Sequence, residues 1–324
     1  MDAGARIKEA ARDAGFELCG VASLAAPPAH LDALVPWLEK GLHGSMAWME
    51  RQAAKRLDPT KIMTGAKSLI CVGLVYNTDH PYSTDVFPME GRAQTRNAET
   101  RDQAWISRYA WGEDYHRVME RKLEALRKAL LALHPGAAFR AYADTGPISE
   151  KAWAARAGLG WQGKHTNVIS QDLGSWFFLG ELLTDLELQP DAPAKDLCGT
   201  CTRCIDACPT QALTSYQLDA TRCLSYLSIE MKGDLPEHLA SVLGANVYGC
   251  DICQDVCPWN RGRVLAQEAA FEPRPGLVAP RLDDLAGMDD DTFNLRFQHS
   301  AMRRTKASGL RRNVKLARPK TVQP

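Results

Sequence analysis

The sequence lacks an excess of either charge, a long hydrophobic run and an apolar leader. Lys and Arg together number 39, as do Asp and Glu. No overall positive field therefore indicates nucleic-acid binding, and any such contact must come from a local patch. No run approaches the ~18 apolar residues of a membrane span, and the opening segment MDAGARIKEAARDAGFELCG is charged throughout, unlike a signal peptide. We expect a cytoplasmic protein that does not associate with membranes.

The pattern GxxxxGK[ST] is also missing, and the single GxGxxG match, GLGWQG at residues 158–163, lies in a polar loop rather than between a predicted strand and a predicted helix, so the sequence does not support a nucleotide-binding fold. A chain of 324 residues with 45% hydrophobic residues can bury a large core and form two or three structural units. Helix-like and strand-like segments are mixed along it. The predicted helices are ARIKEAARDAG and YHRVMERKLEALRKALLALHPG, and the predicted strands are SLICVGLVY, FRAYA and SWFFLGELLT. This pattern predicts an α+β fold.

Cysteine is plentiful but unevenly placed. Eight of the ten cysteines lie between Cys198 and Cys257, which in a cytoplasmic chain indicates metal binding rather than disulfides. Cys19 and Cys71 stand apart, and Cys71 lies within the apolar segment SLICVGLVY. We interpret both as small apolar core thiols.

The clustered cysteines follow the pattern of bacterial ferredoxins. The first run is C-x2-C-x2-C-x3-C-P and comprises Cys198, Cys201, Cys204, Cys208 and Pro209. The second run is one cysteine short, comprising Cys250, Cys253, Cys257 and Pro258, and Cys223 lies alone between the two runs. In two-cluster ferredoxins each run gives its last cysteine to the other cluster. The spacing therefore predicts one [4Fe-4S] cluster on Cys198, Cys201, Cys204 and Cys257, and another on Cys208, Cys223, Cys250 and Cys253. A pair of structural zinc sites is the alternative, because CxxC pairs also bind zinc.

Three features upstream of the cysteines are candidates for chemistry. Asp144 follows a predicted strand and opens DTGP, from which its carboxyl can enter a pocket or cap a turn. The loop GLGWQGKHTNVIS has three glycines, which suit close approach of its backbone by a large ligand. The segment DYHRVM begins like the D-x-H-x-x-G run of some cobalt enzymes, but Met119 replaces the glycine. We interpret that segment as a helix N-terminus.

Several segments together resemble one enzyme family. They are RLDPTKIMTGAKSLI, SRYAWGEDYH, YADTGPISEKAWAARAGLGWQGKHTNVIS, the eight-cysteine order and CLSYLSIEMKGDLPE. Their succession through nearly the whole chain is similar to that of the epoxyqueuosine reductases, cobalamin-dependent enzymes of tRNA queuosine synthesis. The resemblance implies a nitroreductase-like cobalamin-binding domain at residues 1–190, packed against a two-[4Fe-4S] ferredoxin-like domain at 191–265. It also implies a short basic segment at 266–324, a remnant of the helical-repeat tRNA-binding domain of longer members.

The resemblance also implies the reaction. Epoxyqueuosine at the wobble position of a tRNA loses its epoxide oxygen as water, and the two clusters pass electrons from a low-potential donor to cobalamin. Asp144 is then expected to be the acid that protonates the leaving oxygen. The expected cobalamin contacts, besides Asp144, are Arg56, Lys164, His165, Asn167, Val168, Ser225 and Tyr248. Arg56 has the strongest physical case, because a guanidinium can bind amide or phosphate oxygens with two hydrogen bonds.

The end of the chain carries eight Lys or Arg residues and no acidic residue between Ala301 and Lys320. This segment is expected either to contact tRNA phosphates or to be a solvated tail. The expected phosphate contacts are Arg303, Arg304, Lys306, Arg311, Arg312 and Lys315. We expect a monomer. The alternative functions are a reductive dehalogenase-like cobalamin enzyme, although the chain shows no twin-arginine signal, and a plain iron-sulfur electron carrier.

Overall fold

The computed structural model describes residues 3–319 and confirms an α+β architecture. The α-helices are α1 (Ala3–Asp13), α2 (Leu34–Glu39), α3 (Ala47–Arg51), α4 (Ala53–Leu57), α5 (Ser83–Val86), α6 (Tyr115–Leu133), α7 (Glu150–Arg156), α8 (Arg203–Asp206), α9 (Leu224–Ile229), α10 (Glu237–Ala240), α11 (Ile252–Asp255), α12 (Leu282–Ala286), α13 (Asp290–Arg296) and α14 (Lys306–Ala317). The strands are β1 (Leu18–Ser23), β2 (Ser68–Val75), β3 (Met89–Glu90), β4 (Ala93–Gln94), β5 (Trp105–Ile106), β6 (Phe139–Tyr142), β7 (Trp161–Gln162), β8 (Val168–Ile169), β9 (Phe177–Thr184), β10 (Leu213–Thr214), β11 (Gln217–Leu218) and β12 (Asn246–Tyr248). No helix within these residues is both long and apolar enough to cross a membrane.

A four-stranded antiparallel sheet with the order β1-β2-β9-β6 organises the front of the molecule. All eight residues of β2 are buried, because helices cover both faces of the sheet. Ile70, Val72 and Leu74 point into a core shared with α1 and α6. Leu69 and Cys71 alternate with them and point into a second core shared with α7. The interpretation of Cys71 as a core thiol is therefore confirmed.

Helix α6 begins where the sequence indicates and carries the residues that reach the site. The side chain of Asp114 caps it by accepting a hydrogen bond from the backbone N–H of His116 at 3.1 Å. Val118, Leu123 and Leu126 bury its apolar face against the sheet. The first turn of α6 is thereby fixed beside the end of strand β6.

The cysteine-rich region is joined to the front region rather than appended to it. Strand β12 pairs in parallel with β5. The buried carboxylate of Asp251, next to Cys250, accepts hydrogen bonds from Trp105 Nε1 at 2.9 Å, from Arg108 N at 2.8 Å and from the hydroxyl of Ser107. Because these contacts interlock the two regions, the division at residues 190 and 265 stays a prediction.

The C-terminal region is folded, and the prediction of a solvated tail is wrong for the described residues. Helix α14 packs on α9, α12 and β12, and its apolar side chains recur at helical spacing as Ala307, Leu310, Val314 and Ala317. Asn313 on the same helix donates to the carbonyl oxygens of Ser228 and Val247, each at 2.8 Å. Lys320, the last residue of the predicted basic segment, lies outside the described residues.

Candidate active site and cluster-binding sites

The eight cysteines form two groups in space, divided as the exchange of last ligands predicts. We name cluster site A as Cys198, Cys201, Cys204 and Cys257, and cluster site B as Cys208, Cys223, Cys250 and Cys253. The four cysteines of site A line one cavity. Burial raises the pKa of Cys257 to about 11, and the nearby thiols that raise it further are those of Cys204, Cys198 and Cys201. The last cysteine of the second run therefore lies with the first run.

Site B shows the reciprocal exchange. Burial raises the pKa of Cys253, and so do the neighbouring thiols of Cys223 and Cys208 and, from site A, that of Cys204. Cys223 precedes helix α9; burial raises its pKa, and the backbone N–H groups of Tyr226 and Ser225 at the start of the helix oppose that rise. The isolated cysteine thus lies where a fourth ligand is needed. Four thiols around each site are the ligand set of a [4Fe-4S] cluster.

Asp144 lies at the end of β6 with its side chain open to solvent. Its backbone is left-handed, with φ of 57°, a conformation that aspartate tolerates better than most residues. The carboxylate Oδ2 accepts hydrogen bonds from Tyr115 Oη at 2.8 Å and His116 Nε2 at 3.0 Å, and the side chain is still 57% exposed. Such a carboxylate is fixed in position and accessible to a ligand.

His116 joins two carboxylates, which the sequence reasoning missed. Its Nδ1 lies 2.7 Å from Asp114 Oδ1, and its Nε2 faces Asp144. Burial opposes the imidazolium, but the hydrogen bonds to Asp114 and Asp144 raise the pKa of His116 to about 9. Burial also opposes ionisation of Asp144, but the hydrogen bonds from His116 and Tyr115 lower its pKa. At neutral pH His116 therefore carries a proton on Nε2, and this nitrogen lies 3.0 Å from Oδ2 of the exposed Asp144 carboxylate.

A second carboxyl group fixes the backbone at Asp144. Glu150 Oε1 accepts a hydrogen bond from Asp144 N at 2.5 Å. Burial raises the pKa of Glu150 to about 7, and the charge of Asp144 adds to the effect. Glu181, fully buried in β9, lies beside Glu150, and burial raises its pKa well above the usual value. The backbone of the loop that carries Asp144 is therefore held by Glu150, which in turn lies beside the fully buried Glu181.

Lys151 connects this site to cluster site B. Its ammonium donates to Asn167 Oδ1 at 2.7 Å. Burial lowers its pKa, while the opposing charges come from Cys253, Glu150, Asp144 and Cys223. Because the charges of both Asp144 and the thiols of site B act on Lys151, site B lies near Asp144.

The predicted cobalamin contacts separate into three groups in the structure. Arg56 has Glu150 and Asp144 as its charged neighbours, donates from Nη1 to the carbonyl oxygen of Ile148 at 2.8 Å and keeps a buried Nε without a partner among residues 3–319. Asn167 accepts a hydrogen bond from Lys151, and the backbone N–H of Ser225 lies against the sulfur of Cys223 in site B.

Val168 and Tyr248 belong to the core, where they are 3% and 1% exposed. The Tyr248 hydroxyl donates to the carbonyl oxygen of Ala301 at 2.5 Å. Lys164 and His165 line the cavity of site A instead. The assignment of these four residues to cobalamin stays a prediction, although each side chain already takes part in packing or lines the cavity of site A.

The basic residues of the C-terminal segment also differ in availability. Arg304 binds Glu230 with two hydrogen bonds, at 2.8 and 3.0 Å, and its charge acts on Asp144. Arg303, Lys306 and Lys315 are exposed. Lys232, which the sequence reasoning missed, has Arg304, Lys306 and Arg312 as its positive neighbours.

Two arginines are engaged within the fold. Arg312 donates to the carbonyl oxygens of Leu227, Met231 and Gly233 at 2.7–2.8 Å. Arg311 pairs with Asp290 at 2.8 Å. The assignment of Arg312 to phosphate binding stays a prediction, although its guanidinium already donates to backbone carbonyls and stabilises the segment.

Known proteins resemble the chain over most of its length. The model for the family described as "Epoxyqueuosine reductase QueG, DUF1730" matches residues 56–145, and that for the "4Fe-4S double cluster binding domain" matches residues 197–260. The chain is 40% identical over 309 residues to an epoxyqueuosine reductase of Cellulophaga algicola, covering 95% of each protein. It is 45% identical over 284 residues to one of Synechocystis sp., covering 87% of this chain and 92% of the relative.

Solved structures of such enzymes superpose well on this fold. The enzyme of Streptococcus thermophilus gives a TM-score of 0.82 at 30% identity, covering 98% of this chain and 81% of the other. A second solved epoxyqueuosine reductase, which holds an epoxyqueuosine-modified tRNA-Tyr stem loop, gives 0.82 at 30% identity, covering 97% and 80%. The fold and the order of the sites are thus those of a known group of enzymes.

Proposed function

We propose that this chain, which belongs to the epoxyqueuosine reductase family of oxidoreductases, reduces epoxyqueuosine to queuosine in tRNA, with electrons passing through two [4Fe-4S] clusters to cobalamin. One oxygen leaves as water while two electrons and two protons are consumed. The observation that carries the proposal is the exposed carboxylate of Asp144, bound to a protonated His116 and placed beside cluster site B.

The proton for the leaving oxygen comes from the Asp144–His116 pair. His116 holds a proton at neutral pH, and Asp144 is the member of the pair that a ligand can reach. As substrate displaces water from Asp144, the neutral acid becomes favoured, so the shared proton moves to the carboxyl and then to the oxygen. A Bacillus subtilis epoxyqueuosine reductase solved with its catalytic aspartate loop swung out of the active site supports this role for an aspartate on a loop.

The polar surface around Asp144 suits a large polar cofactor. When bound, cobalamin supplies low-valent cobalt, a strong nucleophile toward an epoxide. Arg56 has a buried Nε without a partner among the described residues, the carboxamide of Asn167 binds Lys151, which has Asp144 and site B as charged neighbours, and Ser225 adjoins Cys223 of site B. These groups match the amide and phosphate substituents of a corrinoid, so Arg56, Asp144, Asn167 and Ser225 would hold it.

The order of the two clusters follows from the position of Lys151. Its charged neighbours among the clustered cysteines are Cys253 and Cys223, both in site B. No cysteine of site A is among the charged neighbours of Lys151 within the described residues. Cys204 of site A lies near Cys253 of site B, whose pKa it raises, so the two sites adjoin each other. Electrons from an external donor would therefore enter at site A and pass through site B.

The basic residues near Asp144 suit the phosphates of an anticodon stem loop. Arg304 lies within electrostatic reach of Asp144, and Lys232 and Lys306 lie beside Arg304. Because the whole chain has no net charge, this local patch is what would attract RNA. We propose that Arg303, Arg304, Lys306, Lys315 and Lys232 line the tRNA surface.

Neutralising two members of this surface should weaken tRNA binding without changing the cofactors. Lys232→Gln together with Lys306→Gln is expected to raise the KM for tRNA and to flatten its log-log salt dependence by roughly one unit per lost phosphate contact. Lys128→Gln, on the exposed face of α6 far from its first turn, is the matched control. An unchanged salt slope in the double variant would place the RNA elsewhere.

Removing the imidazole should change the pH dependence of turnover. In the unmodified chain kcat should fall as pH rises through about 9, where His116 loses its proton. His116→Gln should lower kcat by at least ~10² at neutral pH and abolish that alkaline limb, because glutamine has no titrating proton. The exposed His30→Gln serves as the control. A His116→Gln profile that keeps its alkaline limb would assign the titration to another group.

Cobalamin binding tests the proposed cofactor directly. Anaerobically purified chain with both clusters is titrated with cobalamin, and the bound corrinoid is measured by its visible bands after gel filtration. Stoichiometric binding, weakened by Arg56→Ala, is expected. A chain that retains its clusters but binds no corrinoid would act as an electron carrier, contrary to the proposal.

A further inference from the structure

A buried histidine with one unpaired ring nitrogen faces cluster site A. His165 lies in the turn between β7 and β8 and is 3% exposed. Its Nδ1 accepts a hydrogen bond from Asn167 N at 3.2 Å. An accepting nitrogen carries no proton, so the neutral ring carries its hydrogen on Nε2. That Nε2 is buried and has no hydrogen-bond partner among residues 3–319.

The cavity that His165 lines offers sulfur as the acceptor. Four of its lining residues are the cysteines of site A. The remaining side chains carry no free acceptor, being those of Lys164, Ile169, Arg203, Pro258 and Trp259. A buried N–H without an acceptor would be costly, by ~1–3 kcal/mol. We therefore expect the hydrogen-bond acceptor of the buried Nε2–H to be a sulfur atom of the group that the cysteines of site A bind.

The turn that carries His165 is fastened to the first cysteine run. Lys164 is 9% exposed, and its ammonium donates to the carbonyl oxygens of Gly199 at 2.7 Å and Cys201 at 3.0 Å. From the adjoining strand, Trp161 Nε1 lies 3.5 Å from Cys198 Sγ. These contacts hold the turn against the cysteine loop and so keep His165 beside site A.

We propose that His165 donates its Nε2–H to a sulfur of the cluster in site A and thereby raises the reduction potential of that cluster. The inference rests on the proposed [4Fe-4S] occupancy of site A and extends it to a regulating residue. Hydrogen bonds to cluster sulfurs stabilise the reduced, more negative state, and the buried ammonium of Lys164 acts in the same direction. His165 thus makes the entry cluster easier to reduce by an external donor.

A redox titration followed by electron paramagnetic resonance tests the proposal on the full chain with both clusters. His165→Phe keeps the ring but removes the donor, and His165→Gln places an N–H near the position of Nε2. In the Phe variant, at the wild-type midpoint of the site A cluster, the reduced-to-oxidised ratio should fall about threefold to tenfold, the latter being ~59 mV for one electron. The Gln variant should recover most of the shift, and the site B signal should not move. The spectrum of Cys257→Ala, which retains site B, assigns the two signals.

A second measurement decides the matter even if the Phe variant fails to assemble its cluster. Chain labelled with ¹⁵N-histidine should show a histidine nitrogen coupled to the reduced cluster of site A in pulsed spectra, and His165→Gln should lose that coupling. Absence of the coupling in the labelled wild-type chain, or equal midpoints in wild type and His165→Phe, would overturn the proposal. Neither measurement uses turnover. If the chain holds both clusters but does not reduce epoxyqueuosine in tRNA, the midpoint and the nitrogen coupling still test the role of His165.

Discussion

Replacing Asp144 by Asn should lower kcat for epoxyqueuosine reduction by about 10²–10⁴, the usual contribution of general acid catalysis, while cobalamin still binds. Asparagine tolerates the left-handed backbone at this position, where φ is 57°, so the loop should keep its shape. Its amide cannot transfer a proton. The substitution also removes a carboxylate that raises the pKa of His116, so the second member of the pair loses its proton more readily.

The measurement is single-turnover conversion of epoxyqueuosine-containing tRNA, with corrinoid and cluster spectra recorded on the same samples. Asp172→Asn, an exposed aspartate outside the site, controls for the change in charge. Asp144→Asn with near-normal turnover would return Asp144 to the role of a turn residue and leave His116 as the candidate acid.

Cys257→Ala should remove the cluster of site A, and Cys208→Ala should remove that of site B. Each of these two cysteines is the last of its own run in the sequence, but its thiol lies among the thiols of the other run. Each variant should lose about half of its iron and one of the two paramagnetic signals, and both should lose turnover because the electron path is interrupted. Cys71→Ala, a buried thiol in the sheet, should retain both clusters. Loss of the same cluster in both variants would contradict the exchange of ligands.

Spacing along the chain was sufficient to predict a double-cluster binding region, because the order of cysteines constrains which thiols can converge, whereas the assignment of each cysteine to one cluster stays a prediction. The same applies to β2 and α6, whose apolar patterns match a buried strand and an amphipathic helix. The wiring through Cys223 also required no tertiary information, since it was the one cysteine left between the runs.

The proton-holding pair could not be found in this way. His116 and Asp144 are 28 positions apart, and they meet only because α6 starts beside the end of β6. The segment DYHRVM does open a helix, but its histidine also points at the strand end. A helix N-terminus and a reactive side chain are compatible, and the sequence interpretation treated them as alternatives.

The packing of the basic C-terminal segment was not predicted, for a different reason. Counting charges does not show which arginine turns inward, because this depends on carbonyl groups of residues 227–233 on another segment. The apolar spacing of Leu310, Val314 and Ala317 was visible in the sequence and indicated a packed helix rather than a solvated tail.

The most direct test of the account is conversion of a defined substrate by the reconstituted chain. Anaerobic chain with both clusters and cobalamin is mixed with a low-potential reductant and an epoxyqueuosine-containing anticodon stem loop, and the nucleosides are analysed by mass spectrometry. We predict queuosine, lighter than the starting nucleoside by one oxygen atom, formed only when cobalamin is present. Unchanged epoxyqueuosine in the presence of intact clusters and bound corrinoid, or equal conversion without cobalamin, would contradict the account.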